Sequence, residues 1–80
     1  MYYVYIIYSR RFDRYYTGMS VDVKQRLLTH NLGRVKSTKA FVKWELVHVE
    51  RFNTREEARI REKYLKSAAG RRWRKNNLGL

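Results

Sequence analysis

The sequence predicts an α/β (α+β) sandwich. Its centre is a small three-stranded, mainly antiparallel sheet flanked by helices, in the order β-β-α-β-α with a short last helix. Three features carry this expectation. Residues 2–8 and 44–52 are rich in aromatic and β-branched side chains, the composition of strands. A second short run, 15–18, follows the first after a polar turn. Two further segments open on capping residues and carry apolar positions at helical spacing.

Each element follows in order. Residues 2–8 lack polar alternation, which predicts a central strand covered on both faces. Residues 9–14 form the turn, and Tyr15, Tyr16, Thr17 and Gly18 form its hairpin partner. Ser20 can cap a helix over 21–31, with Val23 and Leu27 four apart on one face. Arg26 and His30, also four apart, border that face, and Gly33 is a C-terminal stop. Residues 34–43 read as a basic loop carrying Ser37 and Thr38. The third strand covers 44–52. Thr54 and Glu57 make a capping box for a second helix that runs to about residue 69, where Gly70 ends it. Residues 71–75 form the last short helix.

Eighty residues suit one domain spanning 1–80. A hydrophobic fraction of 44%, with seven Tyr, three Phe and two Trp, is enough for a core and argues against disorder. The absence of cysteine excludes disulfides and thiolate metal sites. The two histidines, His30 and His48, are too few for a zinc cluster without carboxylates. There is no membrane-spanning apolar run and no basic signal-peptide start. The expectation is a soluble cytoplasmic monomer.

The formal net charge of +12 asks for an anionic partner. Nucleic acid comes first, because its phosphates reward clustered Arg and Lys through counterion release. An anionic membrane surface or an acidic protein comes second. Candidate contacts are Lys36, Lys39 and Lys43 in the loop, and Arg71, Arg72, Trp73, Arg74 and Lys75 near the end. Trp73 among cations can stack on an exposed base, or it can pack on the core beside a solvated helix end.

Among the carboxylates, Glu62 stands out. It lies four after Ala58 and three before Leu65, at the border of an apolar stripe. A partly shielded carboxylate there suits a divalent cation, or an ion pair with a neighbouring Arg. Glu56 and Glu57 belong to a first turn, where acids serve the cap and the dipole. On the first helix, Arg26 offers a fork for a phosphate and His30 a proton carrier. The alternative for that pair is a surface Arg and a partly buried His. His48 sits among strand residues and reads as structural. Both helices must cover the same small sheet, so a shared cleft is expected.

The order of these residues resembles the GIY-YIG nuclease domains. Tyr3-Val4-Tyr5 and Tyr16-Thr17-Gly18 stand for the two signature tripeptides. Arg26, His30-Asn31 and the segment from Ala58 through Glu62 to Leu65-Lys66 fall where later motifs lie. The resemblance runs from about residue 2 to 75 and is similar to small single-domain bacterial members related to the N-terminal nuclease domain of the ABC excinuclease. Tyr3 replaces the family's Gly and Thr17 its Ile. The C-terminal Asn of the family corresponds to Asn76 or Asn77. The resemblance implies a divalent-metal-dependent DNA endonuclease, nucleoid-associated, acting in repair or recombination. It implies that Glu62 binds Mg²⁺ or Mn²⁺ and Arg26 neutralises the scissile phosphate. It further implies that Tyr5 activates water with His30 as relay, and that Tyr16 positions water or phosphate. The alternative is a DNA-binding module of the same fold with weak, lost or partner-dependent catalysis. An RNA-binding or ribosome-associated basic protein is a third reading, without a recognition motif to support it.

Overall fold

The structure is a computed structural model that describes residues 1–80. Strands β1 (Tyr2–Ser9), β2 (Arg14–Ser20) and β3 (Glu45–Phe52) form one antiparallel sheet with β1 in the centre. Helices α1 (Val23–Asn31), α2 (Arg55–Lys66) and α3 (Ala68–Leu78) flank it. A single 3₁₀ turn, Lys39–Phe41, lies in the basic loop. No helix is long and apolar enough to cross a membrane.

The unbroken apolar run in β1 has its expected consequence. Val4, Tyr5, Ile6 and Ile7 are all buried, with alternate residues facing opposite layers. Val4 and Ile6 pack with Ala58 and Leu65 of α2, backed by Trp73 and Leu78 of α3. Tyr5 and Ile7 pack with Trp44, and with Val23 and Leu27 of α1 at the margin. Thus α1 and α2 cover opposite faces of the sheet. Each aliphatic side chain fully buried this way contributes about 1.5–3 kcal/mol.

The hairpin is longer than the sequence suggests. β2 pairs with β1 from Arg14 opposite Ser9 to Ser20 opposite Tyr3. Because Ser20 belongs to that ladder, it does not cap α1. Asp22 does: its Oδ1 accepts from the Gln25 amide at 3.1 Å, and the helix starts at Val23. Ser20 Oγ instead accepts from the Asp22 amide at 3.0 Å and shapes the entry turn. Gly33 ends α1 as expected. Its φ is +72°, and the Gly33 and Arg34 amides donate to the His30 and Thr29 carbonyls in a Schellman motif.

The second helix departs further. It stops at Lys66, because Ser67 takes extended backbone and caps α3 by accepting from the Gly70 amide at 3.3 Å. Gly70 is therefore no terminator. It sits in the first turn of α3, where an added Cβ would collide with the Leu65 carbonyl. The absent side chain lets α3 turn sharply off the end of α2. The final helix consequently spans Ala68–Leu78, well beyond residues 71–75. Thr54 and Glu57 do form the predicted cap on α2, the Glu57 amide donating to Thr54 Oγ1 at 3.2 Å.

Candidate active site at the edge of the sheet

Tyr5 lies mid-strand in β1, opposite Gly18 of β2. The pairing matters because a Cβ at Gly18 would overlap the Tyr5 hydroxyl and come within 2.6 Å of its Cζ. Glycine leaves the hole that the phenol fills. Tyr5 Oη lies 2.9 Å from His30 Nε2. The other ring nitrogen, Nδ1, lies 2.8 Å from Thr38 Oγ1. His30 and Thr38 are both buried. The Tyr16 ring closes the cluster, its centroid 4.9 Å from that of His30 and 6.5 Å from that of Tyr5.

Hydrogen bonding sets where the protons sit. Thr38 Oγ1 also faces the Val35 carbonyl at 3.4 Å, the natural recipient of its single proton. We therefore assign the His30 proton to Nδ1, which donates to Thr38 Oγ1, leaving Nε2 to accept from the Tyr5 hydroxyl. Burial pushes the His30 pKa down to about 4, and the Arg26 charge adds to the effect. Burial pushes the Tyr5 pKa up to about 12, against the pull of the Arg26 guanidinium beside it. At neutral pH the pair is a neutral phenol donating to a neutral imidazole.

Arg26 sits one helical turn before His30 and is half-buried. Glu62 comes from α2, on the other face of the sheet, with its side chain 20% exposed. It pairs with Lys66 Nζ at 3.0 Å, so its ion-pair partner is a lysine of its own helix and no arginine. Lys66 Nζ in turn stands 5.8 Å from the Tyr16 ring centroid. The charge of Glu62 is felt at the Tyr5 hydroxyl. Tyr5, Tyr16, Arg26 and His30 lie together, and Glu62 is linked to them only through Lys66 beside the Tyr16 ring and through its charge. The two helices do cover the same sheet, from opposite faces, so residues of both can meet only around an edge strand. Beside it, Arg59, Glu62, Lys63 and Lys66 line a surface cavity of about 340 Å³.

The donor set limits which metal fits. No cluster of three His, Asp or Glu side chains exists, so a zinc-type site with protein ligands alone does not fit. One partly shielded carboxylate at an open surface does fit a hard ion that keeps most of its own waters. Glu62 is that carboxylate.

The remaining expected residues divide. Lys36, Lys39 and Lys43 are exposed in the loop. Lys43 shares a cavity of about 540 Å³ with Arg10 and Arg11, two cations from the hairpin turn that the sequence did not single out. Arg72 and Lys75 are exposed on α3. Trp73 packs on the core and lies against the His48 and Arg61 side chains, at 5.0 Å and 4.9 Å. That is the packing alternative, with the ring half-buried between these partners. His48 is structural, bonded to Glu50 Oε2 at 2.7 Å, while Arg61 holds the same carboxylate. Those two partners outweigh burial and lower the Glu50 pKa. Asn31 clamps the Trp44 backbone from both sides, at 2.6 Å and 3.0 Å, which fixes the end of the basic loop. Asn77 donates to the Trp73 carbonyl at 2.8 Å. Thr38 had no functional reading in the sequence, and Gly18 had only its place in the second tripeptide. Their roles depend on contacts across the fold.

Comparison with known proteins bears on the family and the fold. The model of the GIY-YIG catalytic domain matches residues 1–77. A UPF0213 protein of Streptococcus agalactiae is 48% identical over 44 residues, 54% of this chain and 50% of that protein. A UPF0213 protein of Haloquadratum walsbyi is 41% identical over 66 residues, 81% of this chain and 73% of that one. The solution structure of a UPF0213 protein from Bacillus halodurans superimposes with a TM-score of 0.54 at 31% identity, covering 91% of this chain and 81% of that chain. Against the two Streptococcus agalactiae relatives the match spans about half of their length.

Proposed function

The chain belongs to the GIY-YIG family, a nuclease family, and we propose that it is a divalent-metal-dependent DNA endonuclease. The observation that carries this reading is the buried hydrogen-bond chain Tyr5–His30–Thr38, flanked by Tyr16 and Arg26, at a sheet edge that also holds Glu62.

Each residue has a physical task. The Arg26 guanidinium binds the scissile phosphate and offsets the charge that grows on it in the transition state. The Tyr16 hydroxyl positions the attacking water or a phosphate oxygen. The Tyr5 oxygen takes a proton from that water as its own proton passes to His30 Nε2. Thr38 holds the imidazole in the tautomer that leaves Nε2 free. His30 is a weak base in the free protein, partly because of the Arg26 charge. A phosphate on Arg26 cancels part of that charge and makes His30 more basic, so the relay strengthens when substrate arrives. Glu62 is the residue that would hold Mg²⁺ or Mn²⁺, whose charge, when bound, offsets that of the leaving oxygen.

One observation favours a second reading, a DNA-binding module without catalysis of its own. The Glu62–Lys66 ion pair competes with any cation for the carboxylate. A single experiment separates the two. Labelled duplex, single-stranded, flapped and four-way-junction DNAs, the forms met in repair and recombination, are incubated with Mg²⁺, Mn²⁺ or EDTA. Wild type is compared with Glu62→Ala and Arg26→Ala. Metal-dependent cutting that both variants lose by at least about a hundredfold supports the endonuclease. Cutting that survives in both variants refutes the site. Binding without cutting on every substrate selects the module.

A further inference from the structure

Behind Tyr16, around the β2 edge from His30, lies a cavity of about 270 Å³. Tyr15, Tyr16 and Thr17 of β2 line it together with Leu65, Lys66, Arg71 and Arg74. It contains three cations and no carboxylate. Lys66 has Glu62 as a partner, but Arg71 and Arg74 make no ion pair. The Arg74 guanidinium lies 3.7 Å above the centroid of the Tyr15 ring, and its buried Nε has no hydrogen-bond partner. Stacking on Tyr15 has already ordered the side chain, so an anion can bind without ordering it again.

We propose that this cavity is a phosphate subsite. It holds one phosphodiester of a nucleic-acid backbone flanking the phosphate that Tyr16 and Arg26 address. This rests on the nucleic-acid reading above and extends it. Tyr16 is the wall common to both sites. A strand bound at both would wrap the free edge of β2 from the α1 face to α3. Of the cations on α3, Arg71 and Arg74 are the ones that act here. Arg72 and Lys75 line no part of the cavity.

The test compares two pairs of substitutions that remove equal charge. Arg71→Gln with Arg74→Gln removes the subsite, and Arg51→Gln with Arg55→Gln removes two exposed cations that line no part of the cavity. Affinity for a short fluorescein-labelled DNA, single-stranded and duplex, is measured in EDTA over a series of salt concentrations. The Arg71/Arg74 pair should bind duplex roughly ten- to a hundredfold more weakly, the range for charge-assisted hydrogen bonds. Its salt slope should fall by about 1 to 2. The control pair should change both by much less. Equal effects in the two pairs would reduce the cavity to general charge and overturn the proposal. Arg71→Gln alone guards against a folding artefact, since Arg71 is exposed, and it should show about half of the slope change. An unchanged slope in that variant also overturns the subsite. EDTA separates this question from catalysis. Loss of binding in a chain that cuts nothing would leave the subsite and remove the endonuclease. Normal binding by the Arg71/Arg74 pair in a chain that cuts would do the reverse.

Discussion

Gly18→Ala tests whether the strand pairing builds the site. In an ordinary strand this exchange helps: Ala loses less backbone entropy than Gly, a gain of about 0.5–1 kcal/mol. Gly18 carries no positive φ that would oppose it. The opposing effect is steric. The new Cβ would overlap the Tyr5 hydroxyl, 2.6 Å from Tyr5 Cζ and 3.0 Å from Tyr16 Cε2. Carbon atoms in contact normally sit about 3.5–4 Å apart. Tyr5 cannot swing away, because it is 1% exposed and its hydroxyl is bonded to His30. Overpacking of this kind costs about 1–3 kcal/mol, so the clash wins. For a domain of this size each kcal/mol lowers Tm by roughly 4–8 °C. With the entropic gain subtracted from the middle of that range, about 1.25 kcal/mol remains, a drop of roughly 5–10 °C. Cleavage, where wild type cleaves, should fall by about a hundredfold as the phenol is displaced. Repeating the substitution in Tyr5→Phe removes the overlapped oxygen but leaves Cζ, so the penalty should shrink without vanishing. A Gly18→Ala protein with wild-type or higher Tm and unchanged cleavage would show that no such close approach exists.

Further outcomes follow from other contacts. Gly70→Ala, in a helix where the exchange usually gains about 1 kcal/mol, should instead destabilise by about 1–3 kcal/mol, read by thermal melting. Acid should unfold the protein partly through His30. Its folded pKa of about 4 lies below the ordinary 6.5, so the unfolded chain takes up the proton first. Stability is full above 6.5 and is lost as pH falls towards 4, by on the order of 3 kcal/mol. Urea melts across that window should show this loss in wild type and not in His30→Gln. Equal loss in both would remove His30 as the cause.

Much of the fold was legible because its signals are local. The unbroken run in β1, the Thr54–Glu57 cap and the Gly33 stop each depend on a few adjacent residues. Errors arose where two local signals competed. Ser20 is a good cap, but the ladder with Tyr3 claims it and Asp22 takes over. Gly70 looks like a terminator, yet Ser67 breaks the helix first and Gly70 serves a backbone contact. At the site, Arg26 and His30 share a helical face and are visible from spacing alone. Thr38 is eight residues beyond His30 in a loop, at no spacing that any regular element would bring together. Lys66 as partner of Glu62 was within reach, since four residues separate them on one helix.

The edge position of β2 explains why this small fold can assemble a site from both of its faces. A central strand is walled off: Tyr5 sees only the α1 layer, and Val4 and Ile6 only the α2 layer. Side chains of α1 and α2 are therefore separated wherever β1 lies between them. At β2 the sheet ends, and Tyr16 on one face stands a pleat away from Tyr15 and Thr17 on the other. Lys66 reaches round that edge to the Tyr16 ring, and Glu62 comes with it. A strand with an open edge is ordinarily a liability for aggregation. Here Arg14 starts the strand, and Lys66, Arg71 and Arg74 surround its middle, so like charge keeps other copies of the chain away. The same charge attracts a polyanion. One feature, a basic open edge, thus opposes pairing with other copies and is where the proposed function sets a nucleic-acid backbone, beside the buried Tyr5–His30 pair.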